Sequence, residues 1–135
     1  MVQKYIKGDI VMYDNKIHTI MDTLELNNYE LSYIEHPVHQ LELSGVPLTP
    51  EILEKNGWKK EVRSRGVKNS HWVYTKPDIE EYGYFPIYIE KGIGDEFDVY
   101  PFTGNHVCTQ IAYIKYVHQL QNLLFGLNLN SEMEV

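Results

Sequence analysis

Cysteine is nearly absent from this chain. Cys108 is the single one in 135 residues, so no internal disulfide can form and the fold must rest on its core. A lone cysteine fits a reducing compartment, and we expect the cytoplasm. Long apolar runs are missing too. The start, MVQKYIKGDIVMYD, has no stretch suited to a signal peptide, and nothing approaches a membrane span, so no membrane partner is expected. Positive charge is scarce: 12 Lys and Arg against 19 Asp and Glu give a formal net charge of -7. That balance disfavours indiscriminate phosphate binding and leaves room for a local basic patch. There is no Gly-rich phosphate loop, nucleophile elbow, internal repeat or low-complexity tract. These absences argue against an enzyme, and no cofactor is expected.

What is present is a core and a pattern. Hydrophobic residues make up 43% of the chain, enough for one compact domain or two small ones sharing a core. The eleven tyrosines suit half-buried strand faces and contact surfaces alike. The strongest periodicity lies in 109–127, TQIAYIKYVHQLQNLLFGL. There Tyr113, Val117, Leu120, Leu124 and Leu127 recur at helical spacing, and Tyr116 and Leu123 widen the stripe. Lys115, His118, Gln119 and Asn122 fall on the opposite side. The spacing predicts one long helix whose apolar face strands must cover.

Earlier segments read as short strands at 10–13, 17–21, 29–34 and 40–43, separated by tight polar turns at Asp14-Asn15-Lys16 and Asn27-Asn28. In the fourth, Leu41 and Leu43 are expected to point the same way. Thr49 as cap, Pro50 at the first helical position, Glu51 in the first turn and Gly57 as stop mark a short helix that docks Ile52, Leu53 and Trp58. A basic connector, KKEVRSRGVKNS, follows. Strands are then expected at 71–76, 85–91 and 96–102, the last two joined by Gly92-Ile93-Gly94-Asp95. The fold class expected is α+β: a β-rich N-terminal half resembling an SH3-like barrel, a short linker helix, and a three-stranded antiparallel meander carrying the long C-terminal helix. The boundary is expected near Leu48, giving a 1–48 subdomain and a 49–135 subdomain that share one core.

Two of these segments, PLTPEILEKNGW and YIKYVHQLQNLLFGL, resemble short uncharacterised proteins of Bacteroides-type gut bacteria and of their phages or integrated elements. The two motifs cover 27 of the 135 residues, and the order of elements matches across almost the whole chain. The resemblance implies a bacterial cytosol and a mobile-element origin. It implies no activity, cofactor or site residue.

Three constellations could carry chemistry. Glu35, His36 and His39 could ligate zinc or nickel with a third ligand such as His18. Pro37 keeps that segment from being a helix that would align the rings, and chance placement of loop histidines is the commoner outcome. His106 and Cys108 alternate on a strand without the companions of a zinc site, and Cys108 reads as a buried thiol. Between 55 and 68, Lys55, Lys59, Lys60, Arg63, Arg65 and Lys68 stand against the single acid Glu61, with Trp58 and His71-Trp72 flanking. Trp58, Lys59, Lys60, Arg63, Arg65, Lys68 and Trp72 could form a contact mixing charge and stacking, or a solvated loop. The acids Asp78, Glu80 and Glu81, and Asp95, Glu96 and Asp98, read as solvated turns. The function expected is therefore a small non-enzymatic binding or interaction module with a protein partner. A nucleic-acid-binding accessory protein is the alternative, and a metal-dependent enzyme at 35–39 comes third. A homo-oligomer is compatible with all of these.

Overall fold

The computed structural model describes residues 2–64, 70–76, 87–92, 94–101 and 112–135, with only the backbone course given at 62–64, 70–72 and 101. The protein is α+β with two antiparallel five-stranded sheets and a C-terminal helix. Its contacts group into two compact units. The first is Met1–Pro47 with Tyr116–Met133; the second is Leu48–Lys115 with Glu134–Val135.

In the first unit, β1 (Ile10–Tyr13) and β2 (Lys16–Thr23) form a hairpin with Tyr13 opposite Lys16. Asp14 and Asn15 close it with φ of 49° and 61°, the paired left-handed conformation that matches strand twist and that Asp and Asn tolerate. β2 is twice as long as β1 because it serves two neighbours. Its first half, to Thr19, pairs with β1, and from Ile20 onward it pairs with β3 (Asn28–Leu31), with a register shift between Ile20 and Asp22. That bulge bends the strand, so the sheet curls into a half-barrel. β4 (Val38–His39) pairs with β3, and β5 (Ser44–Gly45) returns to β1, giving the order β4-β3-β2-β1-β5. Inside lie Tyr5, Val11, Ile20, Tyr29, Leu31, Val38 and Leu43. Each such side chain removed from water contributes on the order of 1.5–3 kcal/mol.

One expectation for this unit is corrected. Residues 40–43 are not a strand: Gln40–Glu42 form a single 3-10 turn capped by His39. Leu41 is 76% exposed while Leu43 is buried, since a tight turn does not keep the two-residue alternation of a strand. On β2 it is His18 and Ile20 that face inward, with Ile17 and Met21 half exposed.

The second unit opens with α1 (Pro50–Lys55). Thr49 Oγ1 accepts the Ile52 amide at 3.2 Å, Pro50 sits at the first position, and Gly57 follows with φ of 89°. Leu53 and Trp58 are buried, and Ile52 is half buried. The sheet runs β6 (Lys59–Ser64), β7 (Ser70–Thr75), β8 (Ile87–Lys91), β9 (Phe97–Pro101) and β10 (Ala112–Ile114), each paired to the next. Val73, Tyr74, Ile87, Ile89, Phe97, Val99 and Ile114 are buried.

The meander thus has five strands rather than three. Half of the expected connector is β6, an edge strand whose Lys59, Lys60 and Glu61 are all exposed, without the alternation of a half-buried strand. Charged side chains are how sheet edges resist unwanted pairing, and that same charge disguised the strand as a loop.

The terminal helix differs most. It is α2, Val117–Gly126, eight residues shorter at its start than expected. At 112–114 the chain is β10, with Ile114 inward and Tyr113 67% exposed. The segment Ala112-Tyr113-Ile114 satisfies a two-residue period as well as a helical one, and aromatic and β-branched side chains favour the strand. The helix starts where Gln119 Oε1 accepts the Tyr116 amide at 3.0 Å. Its contacts place it in the first unit, not with the meander. The chain passes from the first unit to the second at Pro47–Leu48, returns at Lys115–Tyr116 and crosses again at Met133–Glu134.

Candidate functional site

The described side chains of the basic segment, those up to Glu61, do not gather on one face. Trp58 is 2% exposed, so its ring has no free face for stacking. Lys59 and Lys60 are adjacent on β6, opposite Thr75 and Tyr74, and neighbouring strand residues point to opposite faces of a sheet. Lys59 shares its face of the strand with the acid Glu61. The Lys55 ammonium donates to Val135 O at 3.1 Å. The β6 backbone sets Arg63 opposite His71 and Val62 opposite Trp72. Arg65 and Lys68 lie outside the described residues.

The two histidines at 36 and 39 have separate partners. His36 is exposed, with its ring 6.5 Å from Tyr13 and its Nδ1 3.2 Å from Pro37 O. His39 Nδ1 accepts the Leu41 amide at 3.1 Å, and Glu42 returns a carboxylate oxygen to the His39 amide at 3.1 Å. His39 is a cap, a role that a lone imidazole acceptor before a tight turn can fill. Glu35 is exposed. His18 Nδ1 lies 2.8 Å from Ser32 O. Among the described residues, no three His, Cys, Asp or Glu side chains are grouped to hold a metal. His106, Cys108, Asp78, Glu80 and Glu81 lie outside those residues. Asp98 is on β9 opposite Glu90 and Tyr113.

Sequence reasoning missed two features of the first unit. One is a set of buried polar groups beneath α2. Gln121 Oε1 accepts the Ile10 amide at 2.9 Å, and its Nε2 donates to Gly8 O at 3.0 Å. Asp9 is 1% exposed and accepts the Ile6 amide at 2.9 Å. Burial pushes its pKa up to about 6, while the bonds from Ile6 and Asn122 pull the other way. His118 is also buried, packed edge-on to Tyr5 at 5.1 Å and stacked on Tyr116 at 5.7 Å. Burial, helped by the charge of Lys4, brings its pKa down to about 4. Gly45 fits here because a Cβ would lie 2.6 Å from the Tyr116 ring. Gln40, also buried, accepts from Tyr29 Oη at 2.6 Å and from the Lys4 amide at 2.8 Å. These groups fasten the N-terminal residues and α2 to the sheet.

The other feature is outward-facing. Leu26 is 84% exposed with φ of 58°, and Tyr33 is 98% exposed with φ of 63°. They sit in the turns at the two ends of β3. Left-handed backbone at a bulky residue is unfavourable by about 1–3 kcal/mol, and neither side chain gains burial in return. An Asn or Gly would satisfy either turn. This pair is the candidate site: two large side chains held out on strained turns. No helix among the described residues is long and apolar enough to cross a membrane. No protein-family model, curated protein or solved structure matches the chain.

Proposed function

We propose that this protein is a small non-enzymatic binding module whose partner is a protein, and that the first unit, an SH3-like barrel, carries the contact. The barrel reading draws on the pairing order β4-β3-β2-β1-β5, on the bend in β2 that lets it serve two halves of the sheet, and on the 3-10 turn Gln40–Glu42 that leads into β5. The setting, a bacterial cytoplasm and a mobile element, rests on the sequence resemblance.

The observation that carries the binding reading is the exposure of Leu26 and Tyr33 on left-handed backbone. Side chains that lower stability and bury nothing are accounted for by something outside the chain. Nucleic-acid binding through 55–68 loses Trp58 as a stacking platform, and its described cations are divided between the two faces of β6.

The test uses the full tagged chain and a Leu26→Asn, Tyr33→Asn double variant, with capture from host cytosol read by mass spectrometry. A protein held in stoichiometric amount by the native chain and lost by a variant of equal or higher melting temperature is the expected result. Equal capture by the two chains overturns the reading. So does nucleic acid that stays bound at about 200 mM salt, where weak phosphate contacts are released.

A further inference from the structure

Four exposed aliphatic side chains hang from one end of the β3–β4 pair. The Leu24 amide donates to Asn28 O at 2.8 Å, and Leu26 occupies the turn between those residues. Asn28 is paired with His39, whose Nδ1 receives the Leu41 amide. Beside it, Gln40 Nε2 donates to Val2 O at 3.0 Å. Exposure rises from 39% at Leu24 through 76% at Leu41 to 84% at Leu26 and 87% at Val2.

Carboxylates surround them. Glu25 lies between Leu24 and Leu26, and Glu42 follows Leu41. Asp22 is directly opposite Glu30 across β2 and β3, and all four acids are exposed. Like charges facing each other on a ladder destabilise the sheet that holds them. The neighbouring cation, Lys4, has its ammonium 5.4 Å from the centre of the Tyr5 ring.

We propose that this end of the first unit is the docking surface for a partner-protein segment bearing aliphatic side chains flanked by lysine or arginine. The inference rests on the binding-module reading and names its partner chemistry. Aliphatic contact removes the four side chains from water, and cations at the flanks relieve the Asp22–Glu30 pair and complement Glu25 and Glu42. A second copy of this chain is the poorer occupant. A self-complementary contact would set these carboxylates against themselves, and the first unit has three lysines, Lys4, Lys7 and Lys16, against eight carboxylates.

The probe is a labelled amphipathic peptide of leucine and lysine, compared with matched leucine–glutamate and serine–lysine peptides. Each is titrated against the full chain at about 50 and 200 mM salt, with amide hydrogen exchange locating the footprint. The leucine–lysine peptide is expected to bind about tenfold tighter than either control and to protect 22–30 and 38–42. Leu26→Asn and Leu41→Ser, on separate segments so that misfolding of one does not decide the matter, should each weaken it about tenfold. Equal binding of the serine–lysine peptide, a footprint elsewhere, or a dimer in sedimentation that Leu26→Asn disperses overturns the proposal. Cellular capture abolished by Tyr33→Asn alone and unaffected by Leu26→Asn and Leu41→Ser would overturn this surface while the module reading stood.

Discussion

The two units treat their surfaces differently. Among the described residues of the second, Tyr113 alone is a large apolar side chain left exposed. The first exposes ten, from Val2 to Leu127. Every non-glycine residue with left-handed φ, among those described, is also in the first: Asp14, Asn15, Leu26, Asn27, Tyr33 and Asn128. Among the described residues its interior is more polar as well, with Asp9, His18, Gln40, His118 and Gln121 buried, against Thr75 in the second unit. The second unit is built for packing: short alternating strands around Phe97, Ile89 and Val99, and an edge blunted by charge. The first keeps apolar surface outside and polar atoms inside, each against the ordinary direction of the hydrophobic effect. Such a unit holds its shape through specific hydrogen bonds, and the exposed groups are the ones the proposed contact would use.

The largest effects should come from the two cores. Phe97→Ala in the second unit should lower stability by about 3–5 kcal/mol and Leu120→Ala in the first by about 2–5 kcal/mol, since both side chains are fully buried. Leu127→Ala, at a position 40% exposed, should lose under about 1 kcal/mol. Denaturant melts decide this, and similar losses at Leu120 and Leu127 would mean that α2 is covered on a further face.

A next, smaller effect separates the polar interior of the first unit from the apolar interior of the second. Gln121→Ala leaves the buried Ile10 amide without its acceptor, a loss of about 1–3 kcal/mol. Gln121→Glu keeps the acceptor and removes the donor to Gly8 O, so it should recover part of that loss only below the carboxyl's titration range. A Gln121→Ala variant as stable as the native chain would remove the argument that hydrogen bonds fasten α2 to the sheet.

These outcomes also mark what the sequence disclosed. The β1–β2 hairpin was legible because Asp14 and Asn15 are among the few residues that accept left-handed φ, and α1 because Thr49, Pro50 and Gly57 each act locally. The role of Gln121 was not legible. Its partners Ile10 and Gly8 are more than a hundred positions away, and a glutamine beside Leu120 reads as solvated until the covering strand is known. Amphipathicity says that a helix must be covered but not by which sheet, so the apolar stripe of α2 does not disclose that the helix groups with the first unit. Leu26 and Tyr33 carry no sequence signal for a related reason. A leucine in a turn between strands looks like strand, and only the backbone angle reveals that it is misplaced for folding.

Titration should distinguish the two buried ionisable groups of the first unit. The pKa of Asp9 is raised from 3.8 to about 6. Its contribution to stability is therefore present at low pH and lost as pH rises through that range. His118 is lowered from 6.5 to about 4, so its contribution is present above 6.5 and lost as pH falls toward 4. Between pH 4 and 6 the two slopes oppose each other. Asp9→Asn should leave a melting temperature that falls more steeply than the native one on acidification from pH 6.5, and His118→Gln one that falls less steeply or rises. Parallel profiles for all three proteins would show that neither group is desolvated as its burial implies.

The smallest expected effect runs the other way. Leu26 has φ of 58° in the turn between β2 and β3, next to Asn27 at 58°, and 84% of its surface is in water. Replacing it with asparagine removes a bulky side chain from left-handed backbone and supplies one that bonds locally in that conformation. Stability should rise by about 0.5–1 kcal/mol, the part of the left-handed penalty that asparagine relieves. Tyr33→Asn, at φ of 63°, should behave alike, whereas Asn27→Leu should lose a similar amount. The sign carries the meaning. A surface leucine whose removal stabilises the fold serves something other than the fold, and a gain in stability paired with a loss of binding is the signature expected of a contact residue. If Leu26→Asn instead lowers the melting temperature, the side chain packs against its own unit, and the contrast between an inward-built and an outward-built half of the molecule fails at the residue where it is sharpest.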